Sequence, residues 1–154
     1  VTASNFQEDL IEELRLLFTK QRFLNPAGKR VAINVYGQAL PIIEDGTDVD
    51  PMPYICVRLE EGSIANSTSS QVVNTVLLIG VFDDSAENQG HKEVLNIIQK
   101  IQYRFEKEPI LAKRYRFQDP FDWALQDEDT YPYYFGAIHM QWQTAAIRRE
   151  DKYA

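Results

Sequence analysis

From Phe6 onward the apolar residues recur at helical spacing, with Phe6, Leu10, Leu14, Leu17 and Phe18 on one face. Ser4 with Gln7, and Asn5 with Glu8, fit the spacing of a capping box, so Ser4 or Asn5 is expected to cap this helix. Acids lead (Glu8, Asp9, Glu12, Glu13) and cations follow (Arg15, Lys20, Arg22), which complements the helix dipole. Asn25-Pro26-Ala27-Gly28 closes the element in a turn. The period then drops towards two. Val31, Ile33 and Val35 share a phase in an irregular strand between Lys29 and Leu40, with Gly37 marking a bulge or break. Pro41 to Pro53 reads as an exposed acidic loop carrying Glu44, Asp45, Asp48 and Asp50.

The segment from Pro53 to Phe105 organises the rest. Ile55, Val57 and Leu59 alternate with Tyr54, Cys56 and Arg58, the pattern of a half-buried strand. A polar loop from Gly62 to Ser70 leads into Gln71–Phe82. That run is apolar on both phases at Val76, Leu77, Leu78 and Ile79, as expected of a strand covered on both faces. Val94, Ile98, Ile101 and Phe105, widened by Leu95 and Ile97, predict a second helix from about Glu87 to Phe105, with Asp83, Asp84 and Ser85 supplying its start. Together they form a β–β–α nucleus. Glu108-Pro109 stops the helix. Arg114-Tyr115-Arg116-Phe117 suits a short strand, Asp119 to Trp123 a turn bearing aromatics, and Gln126 to Thr130 an acidic loop. Tyr131 to Ala146 returns to strand, with Ile138, Met140 and Trp142 on one face. The expected order is α-β-β-β-α-(β)-β: an α+β fold with a mainly antiparallel mixed sheet of about four strands and two main helices packed on it. Residues 1–154 are expected to form a single domain.

A hydrophobic share of 44% supports a packed core, and no apolar run reaches the length of a membrane span. The first residues lack the charged and apolar regions of a signal peptide. Cys56 is the single cysteine and is expected to be a buried thiol. A formal net charge of −7 argues against general nucleic-acid binding, which rests on phosphate neutralisation.

Candidate chemistry is sparse. His91 and His139 have no cysteine or strongly placed serine beside them in sequence, which leaves a triad to be assembled only in space. Asp45 to Asp50 resembles a calcium loop in composition but not in ligand order, and the glycines are dispersed rather than gathered into a phosphate loop. No metal, cofactor or enzymatic activity is expected. Lys113-Arg114-Tyr115-Arg116 is a basic, aromatic-interleaved patch on an acidic chain, better suited to an exposed strand or a protein interface than to nucleic acid. Phe121, Trp123, Tyr131, Tyr133 and Tyr134 crowd the last third and suit either the core or an interface, where Tyr and Trp offer large contact area with a polar tip, whereas Phe135 and Trp142 are expected in the core.

Four ordered features resemble the tail-terminator (tail-completion, minor tail) proteins of long-tailed bacteriophages. They are the helix Asn5 to Phe18 and the acid–proline approach to a strand, Asp50-Pro-Met-Pro-Tyr-Ile-Cys-Val-Arg-Leu59. A polar hairpin leads to a long apolar strand ending Gly80-Val-Phe-Asp83; then come a helix, an aromatic and acidic region, and the final strand Tyr133 to Trp142. The resemblance spans nearly the whole chain. It implies a homo-oligomeric ring of six subunits at the head-proximal end of the virion tail, assembled in the host cytoplasm. The ring stops polymerisation of the tail-tube protein and meets a head connector or completion protein. No catalysis or cofactor is implied, and DNA passes through the lumen without specific binding. Ring and tube contacts are then expected from three connections: the acidic loop (Asp45, Asp48, Asp50), the hairpin loop (Ser63, Asn66, Ser67) and the aromatic loop Asp119 to Tyr134 (Phe121, Trp123, Tyr131, Tyr133, Tyr134). The basic pair Arg114 and Arg116 joins them. The competing expectations are a head-completion adaptor at the same joint, a small α+β binding module with an aromatic pocket, and an enzyme using His91 or His139.

Overall fold

The computed structural model describes residues 2–42 and 51–144. In chain order the elements are α1 (Ala3–Leu17), β1 (Phe23–Leu24), β2 (Arg30–Val31), β3 (Asn34–Gly37), β4 (Tyr54–Ile64) and β5 (Gln71–Phe82). Then follow α2 (His91–Lys107), β6 (Ile110–Leu111), β7 (Tyr115–Leu125) and β8 (Tyr133–Thr144).

The mixed α+β content agrees with the sequence, but the sheet is larger than expected. It has six strands in the order β3-β4-β5-β8-β7-β6, and β1 with β2 forms a separate two-stranded sheet. Only β3 and β4 run parallel; the other neighbours are antiparallel. Two local causes separate this from the four-strand expectation. The stretch after residue 28 splits, because the turn at Gly28 (φ 82) folds Val31 back onto Phe23 before β3 begins. The stretch after residue 114 does not break at Asp119. Gln118 stands opposite Gln141 and Asp122 opposite His139, so three residues of β7 face Met140 alone. The expected turn is therefore a bulge inside one long strand, placed where Pro120 has no N–H to give the ladder.

The helix starts also differ. Thr2 caps α1: its hydroxyl accepts the Asn5 N–H at 3.1 Å, and the Asn5 side chain accepts the Thr2 N–H at 3.1 Å. Asn5 thus fills the position expected of Glu or Gln in a capping box, and Ser4 lies within the helix. The second helix begins at His91 after Gly90, not at Glu87. Asp83 turns the chain locally instead, accepting the Ser85 N–H at 2.9 Å.

Both helices bury their apolar faces on one side of the sheet. Phe6, Leu10 and Leu14 from α1, and Val94, Ile97, Ile98, Ile101 and Phe105 from α2, meet Ile55, Val57, Leu77, Ile79, Ile138 and Trp142. Each such side chain contributes about 1.5–3 kcal/mol when fully buried. Trp142 is the centre of an aromatic cluster, with Phe105 at 4.9 Å, Phe6 at 5.4 Å and Phe117 at 5.8 Å between ring centroids. A smaller cluster occupies the opposite face: Met52, Tyr54 and Cys56, flanked by Tyr36, Leu40, Leu78, Phe82 and Phe135. The first half of β4 is therefore covered on both faces, not half-buried as its alternation predicted. The expectation of double cover for β5 holds, since Leu77 and Ile79 enter the main core while Leu78 joins the smaller cluster. Phe135 packs in that smaller cluster; Trp142 is fully buried in the main one.

Candidate functional site

Ser63, Asn66, Ser67, Arg114 and Arg116 collect at one end of the sheet and Tyr131, Tyr133 and Tyr134 at the other, while Phe121 and Trp123 lie along β7 between them. At one end β4 and β5 project as an arm. β3 pairs with β4 only as far as Val57. Gln38 (φ 67) follows, and its side-chain amide stands where the next strand residue would be. Its Oε1 accepts the Leu59 N–H at 3.0 Å, and its Nε2 donates to the Leu59 carbonyl at 3.1 Å. From α1, Gln7 Nε2 supports it, donating to Gln38 Oε1 and to the Val57 carbonyl. Beyond Leu59, residues 60–64 are exposed, and Ile64 keeps 55% of its surface in solvent.

The turn of the arm spans 65–70, shorter than the expected loop from Gly62 to Ser70. Ser63 thus lies on β4, while Asn66 and Ser67 form the tip. Asn66 Oδ1 closes the turn by accepting the Thr68 N–H at 3.0 Å and hydroxyl at 2.8 Å.

The register places the cations at this same end, since Ser63 pairs with Val72, Val72 with Gln143, and Gln143 with Arg116. Lys113 (φ 59) and Arg114 occupy the turn between β6 and β7. Arg114 reaches Asp9 at 3.2 Å, and the same carboxylate oxygen accepts the Tyr115 hydroxyl at 3.0 Å. Ser70, Ile110, Lys113, Arg114, Arg116 and Gln143 line a hollow of about 230 Å³.

At the far end lies the turn between β7 and β8, residues 126–132. It is held by Gln126 N–H to the Phe135 carbonyl at 3.0 Å and by the Thr130 hydroxyl to the Tyr133 carbonyl at 2.6 Å. Asp127, Glu128 and Asp129 are exposed, and with His91 and Tyr134 they rim a hollow of about 330 Å³. This hollow shares Leu125, Gln126 and Phe135 with an apolar trough of about 510 Å³ on the helix-free face, where Tyr54, Leu78 and Ala137 form the floor. Gly80 keeps that floor open to the ring of Tyr54, into which a Cβ there would run. Burial pushes the Tyr54 hydroxyl and the Cys56 thiol above their ordinary ranges.

The span Asp119 to Tyr134 is not one loop, since most of it belongs to β7 and to the start of β8. Phe121 is partly buried against the main core, 6.2 Å from Phe117. Tyr134 also packs on that core and donates its hydroxyl to Asn88. Trp123, Tyr131 and Tyr133 are the more open aromatics, with 48%, 45% and 38% exposure. Tyr131 donates to the Asp84 carbonyl at 2.6 Å, and Tyr133 lies 5.7 Å from Phe82. Asp45, Asp48 and Asp50 lie outside the described residues. His139 stands opposite Asp122 on the helix-free face, in a hollow that also includes Glu60, far from His91 in the fold.

Sequence patterning missed Gln38 and the apolar trough. Nothing in a one-dimensional pattern signals an amide standing in for a strand residue. The trough arises only when β4, β5, β7 and β8 are set side by side.

These features define an α+β protein with one mixed sheet, both helices on one face, and unlike polar surfaces at its two ends. No family model matches the chain, and no curated protein matches it.

Proposed function

We propose that this protein is a tail terminator of a long-tailed bacteriophage. It assembles as a ring, most simply a hexamer, on the finished tail tube, and presents the opposite side of that ring to the head connector. The mechanism is capping. One surface is complementary to the growing end of the tube and the other is not, so subunit addition stops. A heterologous ring requires two different patches on every subunit. The observation that carries the reading is that the chain presents two unlike patches at opposite ends of one sheet. The arm tip with Lys113, Arg114 and Arg116 lies at one end, and the acidic turn with Tyr131 and Tyr133 at the other. The net charge of −7 suits a lumen through which DNA slides without being held.

Mixing the protein with assembling tube subunits and imaging by negative stain tests this directly. Tubes of fixed length with a distinct ring at one end are expected; tubes that grow on past saturating protein would overturn the assignment. A second reading, a small binding module, draws on the apolar trough, since concave apolar floors with a few polar groups accept small ligands. It predicts a strict monomer whose trough takes up an apolar ligand.

A further inference from the structure

We infer that the trough end of one subunit receives the arm end of a second copy of this chain, so that the ring's subunit contact joins opposite ends of successive sheets. This rests on the ring reading above and specifies its interface. Three features of the surface lead to it.

The first is charge. Lys113 and Arg116 project at the arm end, and Asp127 and Glu128 at the trough end; all four are exposed. No ion pair within the chain engages any of them among the described residues. The Lys113–Arg116 cluster attracts the Asp127–Glu128 turn and each repels its own kind, which steers copies head to tail and disfavours a two-fold pair, although Glu60 and Glu61 are also exposed on the arm.

The second is apolar surface. At the arm end Ile64 is 55% exposed on β4, across the sheet from the cations of β7, and at the other end the carboxylates stand beside the trough floored by Tyr54, Leu78 and Phe135. The end that carries the cations thus also offers an exposed isoleucine, and the end that carries the acids offers an apolar trough. The contact then has a dry centre and a charged rim, the arrangement of stable interfaces.

The third is placement. β5 and β8 pair along their whole lengths, from Val72 with Gln143 to Phe82 with Tyr133, so the two ends are held about 35 Å apart by a continuous ladder. A subunit cannot bring its own arm to its own trough, and the contact is made only between copies.

The test uses sedimentation and native mass spectrometry of the full chain, alone and with tube protein. The variants are K113E/R116E at the arm end and D127K/E128K at the trough end. Arg114 is left intact because it holds Asp9. Each double reversal is expected to weaken self-association about tenfold or more, and the quadruple variant, with both ends inverted, to recover to within about threefold of the natural protein. Raising salt from about 0.05 M to about 0.5 M should weaken the natural assembly in the same direction. A Cys pair placed at Lys113 and Glu128 should form an intermolecular disulfide ladder that reaches the full ring.

A natural ring left unaltered by both reversals overturns this contact and leaves the ring reading standing. A chain that stays monomeric, alone and on tubes, overturns both. Uptake of an apolar ligand by a monomer, with no self-association, assigns the trough to the binding-module reading instead.

Discussion

Asp9 receives two donors at one corner of the fold, the Tyr115 hydroxyl at 3.0 Å and Arg114 at 3.2 Å. Tyr115 is buried, with its ring 5.2 Å from Phe6. Burial, then the hydrogen bond to Asp9 and its negative charge, raise the hydroxyl above its ordinary value of 10.0, against the opposing pull of Arg114. A raised tyrosine favours the protonated form in the folded state. Its stabilising effect is complete below pH 10.0 and fades as pH rises through the folded value. Tyr115→Phe should therefore cost about 1 kcal/mol in urea unfolding at pH 7, and its deficit should shrink as the pH passes 10. A deficit that stays constant across that range would separate Asp9 from the effect. At this scale the sequence was partly legible. Cys56 and Trp142 are buried as expected, because each stands on a strand phase that faces a core cluster. The Thr2 cap was not foreseen, because the capping box here uses Asn at N3 and begins two or three residues earlier than the expected caps Ser4 and Asn5. The partnership of Asp9 with Tyr115 was hidden too, since it joins residues far apart in sequence.

Helices and long strands were legible because their apolar period survives packing. The main faces of α1 and α2 bury the residues picked out by spacing, Phe6, Leu10 and Leu14 in one and Val94, Ile98, Ile101 and Phe105 in the other. Illegible elements were those whose pairing is set from outside. β1, β2 and β6 are two-residue strands that exist only beside their partners. β7 carries Asp119 and Pro120 through its middle because β8 holds both flanks in register. Arg104 shows how the elements are fastened. From α2 its Nε meets Glu13 of α1 at 2.6 Å, while its other nitrogens donate to the carbonyls of Glu108 and Ile110 at 2.6 and 3.3 Å. Its side chain is 20% exposed and that of Glu13 26%, so the pair is partly shielded from solvent. Arg104→Ala should destabilise the fold by about 2 kcal/mol, measured by chemical denaturation, because it leaves a charged group and two carbonyls short of donors. A loss below about 0.5 kcal/mol would mean that water replaces the guanidinium at little cost.

Seen whole, the molecule is graded in stability along its own strands. β5 and β8 are paired on both sides in the middle of the sheet and roof the aromatic cluster around Trp142. The arm beyond Leu59 has no helix beneath it, and residues 60–68 are exposed. Amide hydrogen exchange should therefore be slowest in residues 76–81 and 137–142, and faster by orders of magnitude in residues 60–70. On binding a second copy, protection should rise at residues 60–70 and 125–135 together. Protection at only one of these would contradict a head-to-tail contact. The sequence foretold neither end as a unit, since each is assembled from segments that meet only once the sheet has formed. Gln38 has a consequence of its own. Because one side-chain amide occupies the slot beside Leu59, the boundary between sealed and available backbone on β4 is written in a single codon. Exchange for a residue without that amide would bare the Leu59 N–H and carbonyl, take one acceptor from Gln7, and move the frontier inward, lengthening the seam open to a neighbour.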